Sequence, residues 1–192
     1  MPIVRTVFVL IAPNLPLRLK SLALSLLVGF LLCSYSLFTR AEEPTEYRLK
    51  TAFLYNFATY TQWPSDNRST FNLCIYGDNP FGNHLDHLLE KKVDTRAISI
   101  HQKTRLEELE ECHLVFISQS AVVTLDSILQ ALQGKPILTV TDQPGIGKRG
   151  VMLNMEIKDG KIAFDANLGI ARKAGLNLSS QLLRFAHEVY QE

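Results

Sequence analysis

The spacing of apolar residues divides most of this chain into alternating strands and helices. Short apolar or β-branched runs bounded by Gly, Pro, Asn or Asp are typical of strands. Six such runs are Phe71–Gly77, Ala97–His101, Leu114–Ser118, Ile137–Thr141, Val151–Ile157 and Lys161–Asn167. Apolar residues that repeat every three or four positions are typical of helices. This pattern predicts helices over Glu46–Gln62, Phe81–Lys92, 105–111, Ala121–Leu132, Gly169–Ala174 and Ser180–Tyr190.

The first of these helices carries an apolar stripe formed by Leu49, Phe53, Phe57 and Tyr60. We expect Leu49, Phe53 and Phe57 to face the core, because this spacing places them on one side of a helix. The pair Trp63-Pro64 ends the helix, since the residue before a proline is driven out of the helical conformation.

The order of these elements predicts an α/β fold. Strands and helices alternate up to residue 141, which favours a mostly parallel central sheet with helices on both faces. The last two strands are joined by Asp159-Gly160, a strong signal for a β-hairpin. We therefore expect a single α/β domain that ends in a C-terminal β-hairpin plus helices, with Ser179 as the N-cap of the last helix.

The N-terminus has the pattern of an export signal. Positive charge from Arg5, Arg18 and Lys20 precedes an uncharged apolar stretch, and small residues flank Arg40 at a cleavage-like site. We expect residues 1–41 to be a cleaved secretion signal peptide and residues 42–192 to be the exported domain. The alternative is a retained membrane anchor, because Ser21–Thr39 is long enough to span a bilayer.

The leader changes how the charge of the chain is interpreted. It holds four of the 20 basic residues and none of the 19 acidic ones, so the domain that follows has a net charge of −3 although the whole chain has +1. A mildly acidic domain without a basic stripe argues against a nucleic acid as partner.

Only two of the three cysteines lie in the predicted exported domain. Cys33 lies in the leader, while Cys74 and Cys112 lie in or beside predicted strands. In an oxidising compartment we expect Cys74 and Cys112 to form a disulfide. The alternative is two buried free thiols. A thioredoxin-like redox role requires a close pair such as C-x-x-C, and these two cysteines are far apart in sequence.

Sequence motifs typical of nucleotide-binding, metal-binding or catalytic sites are incomplete or absent in this chain. Residues 145–150 spell G-x-G-x-x-G, but a predicted strand follows where a dinucleotide site needs a helix. His84 and His87 could face one metal ion, yet a third ligand at suitable spacing is missing. No G-x-S-x-G elbow occurs. We therefore expect no catalytic residues, no metal and no cofactor.

Three segments together resemble a known pattern. They are 47–57 (YRLKTAFLYNF) closing on Trp63-Pro64, the strand 73–77 (LCIYG), and 162–183, from IAFDAN to SSQLL. In this order and spacing, the chain resembles the YfiR family of periplasmic proteins over nearly all of the exported domain. Some relatives carry further cysteines near the fourth strand. This chain has Asp142-Gln143-Pro144 there, so we expect no second disulfide.

The resemblance implies a function in the periplasm. Proteins of this family bind the periplasmic region of an inner-membrane diguanylate cyclase and repress cyclic-di-GMP synthesis, and hence biofilm formation. An OmpA-like outer-membrane lipoprotein captures the repressor and releases the cyclase. The expected partners are therefore these two proteins, with a homodimer as a further option. The main alternative is a small-molecule-binding sensor, whose ligand would lie in the crevice beyond Gly77, Ser118 and Thr141. A third hypothesis is an exported hydrolase whose catalytic residues lie far apart in the sequence.

Five residues are candidates for contact with a protein partner. Arg48, Tyr55, Asn56 and Arg172 have polar ends that a partner could use, and Trp63 is a residue type common in binding hot spots. Each also has a structural alternative: Trp63, for example, could simply anchor the end of the first helix.

Overall fold

An eight-stranded sheet organises the part of the chain that the computed structural model describes, residues 43–191. The predicted leader, residues 1–41, lies outside the described residues. The strands are β1 (Thr61–Gln62), β2 (Thr70–Tyr76), β3 (Lys92–Val93), β4 (Arg96–Lys103), β5 (Leu114–Ile117), β6 (Leu138–Thr141), β7 (Leu153–Lys158), β8 (Lys161–Asn167), β9 (Asn177–Leu178) and β10 (Glu188–Tyr190). The α-helices are α1 (Glu43–Thr59), α2 (Leu125–Leu132), α3 (Leu168–Lys173) and α4 (Ser180–Leu183).

The large sheet has the order β10-β8-β7-β6-β5-β2-β4-β3. Its central strands β4, β2, β5, β6 and β7 are parallel, as the sequence pattern predicts. After β2 the chain passes to β4 on one side and then returns to β5 on the other. The strand order therefore reverses between β2 and β5, which is the point where open α/β sheets leave a crevice beyond their carboxyl ends. A small second sheet pairs β1 with β9 antiparallel.

Apolar side chains cover both faces of this sheet. Alternate residues of β2 point to opposite sides, with Leu73 and Ile75 in one cluster and Cys74 and Tyr76 in the other. The larger cluster packs against α1, α3 and α4, and the smaller against α2 and the 3-10 helix Leu106–Glu111. The fold class predicted from the sequence, with helices on both faces, is confirmed.

The predicted hairpin is present as β7 and β8, paired in register from Leu153 with Ala166 to Lys158 with Lys161. Its two turn residues, Asp159 and Gly160, have φ values of 51° and 72°. A two-residue turn of this kind needs positive φ at both positions, which Asp and Gly tolerate better than other residues.

The prediction for the inward face of α1 is partly wrong. Leu49 is 48% exposed, whereas Leu54, Phe57 and Ala58 are completely buried. The stripe that faces the core begins one residue later, at Lys50, and continues through these positions. Lys50 is 4% exposed and occupies the inward position next to Leu49, where it forms the ion pair described below.

Two predicted α-helices are 3-10 helices instead. Phe81–Lys92 contains the 3-10 helix Gly82–Leu88, and the acidic stretch contains Leu106–Glu111. A 3-10 helix repeats every three residues, which places Leu85 and Leu88 inward and leaves Leu89 52% exposed. The predicted helix Ala121–Leu132 also begins in a 3-10 turn, Gln119–Thr124, before it becomes α2.

The last predicted helix, Ser180–Tyr190, is wrong in its second half. Ser179 does accept a hydrogen bond from the Leu182 N–H, so α4 begins as expected, but it ends at Leu183. Glu188–Tyr190 then forms β10, parallel to β8. Without β10, the backbone groups of the β8 edge would have no partner on that side, and strand pairing there prevails over the helical pattern of the sequence.

Candidate functional site

The structure distributes the five predicted partner-binding residues over several surfaces. Arg48 and Asn56 lie on the exposed side of α1, and Arg172 is exposed on α3. The half-buried Tyr55 donates its hydroxyl hydrogen to the Lys92 carbonyl at 3.3 Å. Among residues 43–191, no hydrogen bond, ion pair or ring contact joins two of these five. They do not form one cluster, and their role in binding stays a prediction.

Trp63 is held by the fold at the far end of α1. Its indole N–H donates to the Ala58 carbonyl at 3.0 Å, and its ring meets Phe71 edge-on at 5.0 Å. Its polar atom is therefore already used inside the molecule, and its exposed edge is the only part available to a partner.

An apolar groove opens to solvent between α1, β8 and α4. It has a volume of about 520 Å³ and is lined by Phe53, Asn56, Phe57, Tyr60, Ile162, Phe164, Gln181, Leu182 and Phe185. We call it the α1 groove. Its floor consists of three rings in edge-to-face contact, with centroid distances of 5.0 Å for Phe57 and Phe164 and 6.1 Å for Phe53 and Phe164. Phe57 and Phe164 are buried core residues and Phe53 packs against them, so the core of the fold itself forms the floor of the groove.

The rim of the α1 groove is unusually apolar for a surface. Phe185 is 70% exposed, and Ile157, on the neighbouring hairpin, is 56% exposed. Arg184 places its guanidinium 5.9 Å from the centre of the Phe185 ring. Large exposed aromatic side chains beside an apolar depression mark surfaces that bind other proteins. Asn56 is the predicted residue that lines this groove.

The opposite face of the sheet is closed by a disulfide. Cys74 on β2 and Cys112, 38 positions later in the sequence, are bonded, with their Cα atoms 6.0 Å apart. Both are completely buried among Leu109, Val115 and Leu125. The bond ties the central strand to the segment that leads into its neighbour β5.

Next to the disulfide, the buried His113 contacts strand β2 and the charged loop that precedes it. The backbone N–H of Asn72 donates to Nδ1 of His113 at 2.9 Å, which leaves the ring proton on Nε2. Nε2 lies 2.8 Å from Asp66, and we assign this contact as a hydrogen bond that the histidine donates. Arg68 and Arg96 each form an ion pair with the same aspartate. The cluster fixes the loop between β1 and β2.

The charges of this cluster follow from its surroundings. Burial lowers the pKa of His113 to about 4, although the neighbouring Asp66 acts against this, so the ring is neutral at neutral pH. Burial alone would raise the pKa of Asp66. The hydrogen bonds from the Arg68 backbone and the His113 ring outweigh it, and the pKa falls to about 2.

A second cavity lies at the carboxyl ends of the parallel strands, where the strand order reverses. It has a volume of about 290 Å³ and is lined by Tyr47, Asp78, Asn79, Pro80, Ser118, Gln119, Ser120 and Asp142. We call it the strand-end crevice. It lies beyond Gly77, Ser118 and Thr141, where the sequence places the ligand of a small-molecule sensor.

Asp142, which lines this crevice, belongs to a buried ion pair. The Lys50 ammonium lies 2.6 Å from a carboxylate oxygen of Asp142 and 2.5 Å from one of Glu46, and it stands over the Tyr47 ring. Sequence reasoning missed Lys50 and Asp142. One signal was present: Asp142 directly follows the apolar end of β6, and Lys50 stands among apolar residues of α1 four positions after Glu46.

A polar cluster lies on the hairpin and β10. The Asp165 carboxylate is 3.2 Å from His187 and 3.6 Å from the Lys158 ammonium. The Tyr190 hydroxyl donates to Glu188 at 2.9 Å, and burial together with the neighbouring carboxylates raises the pKa of Tyr190. These contacts attach β10 to the sheet.

Two features are absent from residues 43–191. Within residues 43–191 no group of three or more His, Cys, Asp or Glu side chains is arranged to hold a metal ion. In the same range, no helix combines the length and the apolar character needed to cross a bilayer.

The chain matches one family model and several solved structures. The family model described as YfiR/HmsC-like matches residues 47–187, almost all of the described chain. Among solved structures, the ABC domain in complex with L-Trp from Streptococcus pneumonia aligns with a TM-score of 0.45 and 8% sequence identity. The alignment covers 62% of this chain and only 55% of that chain. A similarity of that size supports no functional conclusion.

Proposed function

This chain belongs to the YfiR/HmsC-like family, whose members are periplasmic regulators rather than enzymes, and from that premise we propose that it represses a membrane enzyme by binding to it. The target is the periplasmic region of an inner-membrane diguanylate cyclase. Occupancy of that region lowers cyclic-di-GMP synthesis and biofilm formation. The family match over residues 47–187 is the observation that carries this proposal.

The α1 groove is the contact surface we assign to this interaction. A regulator that works by occupancy needs a surface that loses water when the partner binds, and burial of apolar area is the main favourable contribution. The groove offers an aromatic floor and the exposed Phe185 at its rim. We propose that an apolar segment of the cyclase inserts between α1 and α4.

The compartment is part of the proposal. A disulfide between Cys74 and Cys112 is compatible with an oxidising environment such as the periplasm. The leader at residues 1–41 supplies the route there. We further propose that an OmpA-like outer-membrane lipoprotein captures the protein and so releases the cyclase.

Deleting the gene tests this function. Cyclic-di-GMP should rise in the deletion strain and return to its original level when the wild-type gene is restored. Restoring Phe185→Ala should leave the level high, whereas Val123→Ala should restore repression. Val123 is a suitable control because it is 90% exposed and lies in the 3-10 helix Gln119–Thr124, away from the groove. An unchanged cyclic-di-GMP level after deletion, with the cyclase gene intact, would refute the proposal.

The strand-end crevice favours a second candidate function, that of a small-molecule sensor. Its cavity of about 290 Å³ approaches the lower end of the size range of ligand pockets. Sensing and repression are compatible in one protein, because the two sites involve different surfaces of α1.

A further inference from the structure

A further cavity lies between α2 and α3, at the amino ends of β6 and β7. Its volume is about 500 Å³, which is within the size range of small-molecule sites. We call it the α2–α3 cavity. Apolar side chains from α2, from α3 and its C-terminal end, and from the residue before β7 form its wall: Leu129, Leu132, Met152, Ile170 and Ala174. The cavity therefore offers an apolar ligand a surface that loses water on binding.

The two helices contribute to one continuous part of this wall. A Cβ atom at Gly150 would lie 3.3 Å from Leu129 Cδ1 on α2 and 3.7 Å from Ile170 Cδ1 on α3. Leu129 and Ile170 are both only partly buried. An apolar chain in the cavity would therefore contact both helices.

The charged side chains that line the cavity are both positive. They are Arg149 and Lys173, and no carboxylate lines it among the described residues. The Lys173 ammonium is exposed and forms neither an ion pair nor a hydrogen bond within residues 43–191. Arg149 pairs with Asp126 at 2.9 Å, but that carboxylate is 84% exposed, and such surface pairs are weak. Two cations and one carboxylate leave a net positive charge beside the cavity.

A buried hydroxyl adds an unused hydrogen-bond donor. Thr139 lines the cavity and is only 2% exposed. Its oxygen accepts a hydrogen bond from the Met152 N–H at 3.0 Å, but its hydroxyl hydrogen has no acceptor among residues 43–191. Buried polar groups normally find partners, so this hydroxyl, like the two cations, favours a ligand with hydrogen-bond acceptors.

Charge and apolar surface together restrict the class of ligand. A cation would be repelled by Arg149 and Lys173. A small inorganic anion would leave the apolar wall in water, and a neutral hydrocarbon would make no use of the positive charge. We propose that the α2–α3 cavity binds an alkyl carboxylate of medium chain length, with its carboxylate facing Arg149 and Lys173 and its chain against the apolar wall. The proposal does not depend on the regulatory function, because binding is measured on the protein alone.

Four compounds separate the effect of charge from that of the alkyl chain. The protein is purified from the compartment to which it is exported, and calorimetric titrations at neutral pH and low ionic strength use octanoate, acetate, 1-octanol and octylammonium. We expect octanoate to bind with a Kd on the order of 100 μM or lower. Binding of 1-octanol should be at least about tenfold weaker, and acetate and octylammonium should not bind detectably. Absence of octanoate binding overturns the proposal, as does equally tight binding of any of the other three compounds.

Two matched double variants locate the site. Arg149→Gln/Lys173→Gln removes both positive charges beside the cavity, and we expect it to weaken octanoate binding by at least about tenfold. Lys91→Gln/Lys161→Gln removes the same charge at two exposed positions that do not line the cavity and should leave the affinity unchanged. All four side chains are exposed, so neither variant is expected to affect folding.

Two results with these variants would overturn the proposal. Equal affinities of Arg149→Gln/Lys173→Gln and the wild type would place the carboxylate elsewhere. An equal loss of affinity in both double variants would show that octanoate responds only to the net charge of the protein.

Discussion

The two faces of the sheet differ in how they are stabilised and in what they expose to solvent. On the side of α1, aromatic rings fill the core and continue into a groove that remains open to solvent. On the opposite side, the Cys74–Cys112 bond ties β2 to the segment before β5 beneath α2 and a 3-10 helix. The disulfide and the exposed apolar groove therefore lie on opposite faces, separated by the thickness of the sheet. A partner could bind the α1 face without disturbing the disulfide.

The largest expected effect comes from removing the disulfide between Cys74 and Cys112. The double variant Cys74→Ala/Cys112→Ala removes a bond between residues 38 apart in sequence, and the chain-entropy account predicts a loss of about 4 kcal/mol in the free energy of unfolding. Urea denaturation followed by circular dichroism measures this loss. The double variant is preferable to either single one, because a single variant would leave the partner cysteine as a free thiol. A loss below about 1 kcal/mol would show that this face does not depend on its disulfide.

A smaller effect is expected from the histidine beside the disulfide. In the unfolded chain His113 titrates near its ordinary pKa of 6.5, and in the folded protein near 4. Between these values the unfolded chain takes up a proton that the folded one does not, so the protein loses stability as the pH falls from 6.5 to 4. The shift corresponds to roughly 3 kcal/mol.

Comparison with His113→Asn isolates this contribution from that of the other histidines. The difference in pH dependence between the two proteins should be confined to that window. Asp66, whose pKa is lowered to about 2, contributes stability that is lost only below its ordinary value of 3.8. Parallel stability curves for wild type and variant between pH 4 and 7 would contradict the assignment of a buried, neutral His113.

The smallest effect on stability is expected at the groove. Phe185 is 70% exposed, so Phe185→Ala should change the free energy of unfolding by no more than about 0.5 kcal/mol. An equally small change in the free energy of unfolding is expected of Val123→Ala, in the 3-10 helix Gln119–Thr124. Thermal denaturation of the two variants tests this. A large loss in Phe185→Ala would mean that this ring supports the fold rather than offering a surface to a partner.

The sequence predicts most of the parallel sheet, because fully apolar runs such as residues 114–117 have few alternatives to a buried strand. It does not predict β10, since the pairing of Val189 with Ala166 is a long-range contact that local spacing cannot show. For the same reason, the groove could not be assembled from sequence: Phe53, Ile162 and Phe185 lie far apart in the chain. Apolar spacing predicts Leu49 on the inward face of α1 because it does not anticipate the buried Lys50, and a buried lysine is exceptional.

The most direct test of the account measures binding to the periplasmic region of the diguanylate cyclase by calorimetry. Wild type and Val123→Ala should bind with equal affinity, and Phe185→Ala should bind at least about tenfold more weakly, as expected for an aromatic hot spot. Equal affinities for all three proteins would contradict assignment of the interaction to the α1 groove. Absence of binding by the wild type would contradict the proposed function itself.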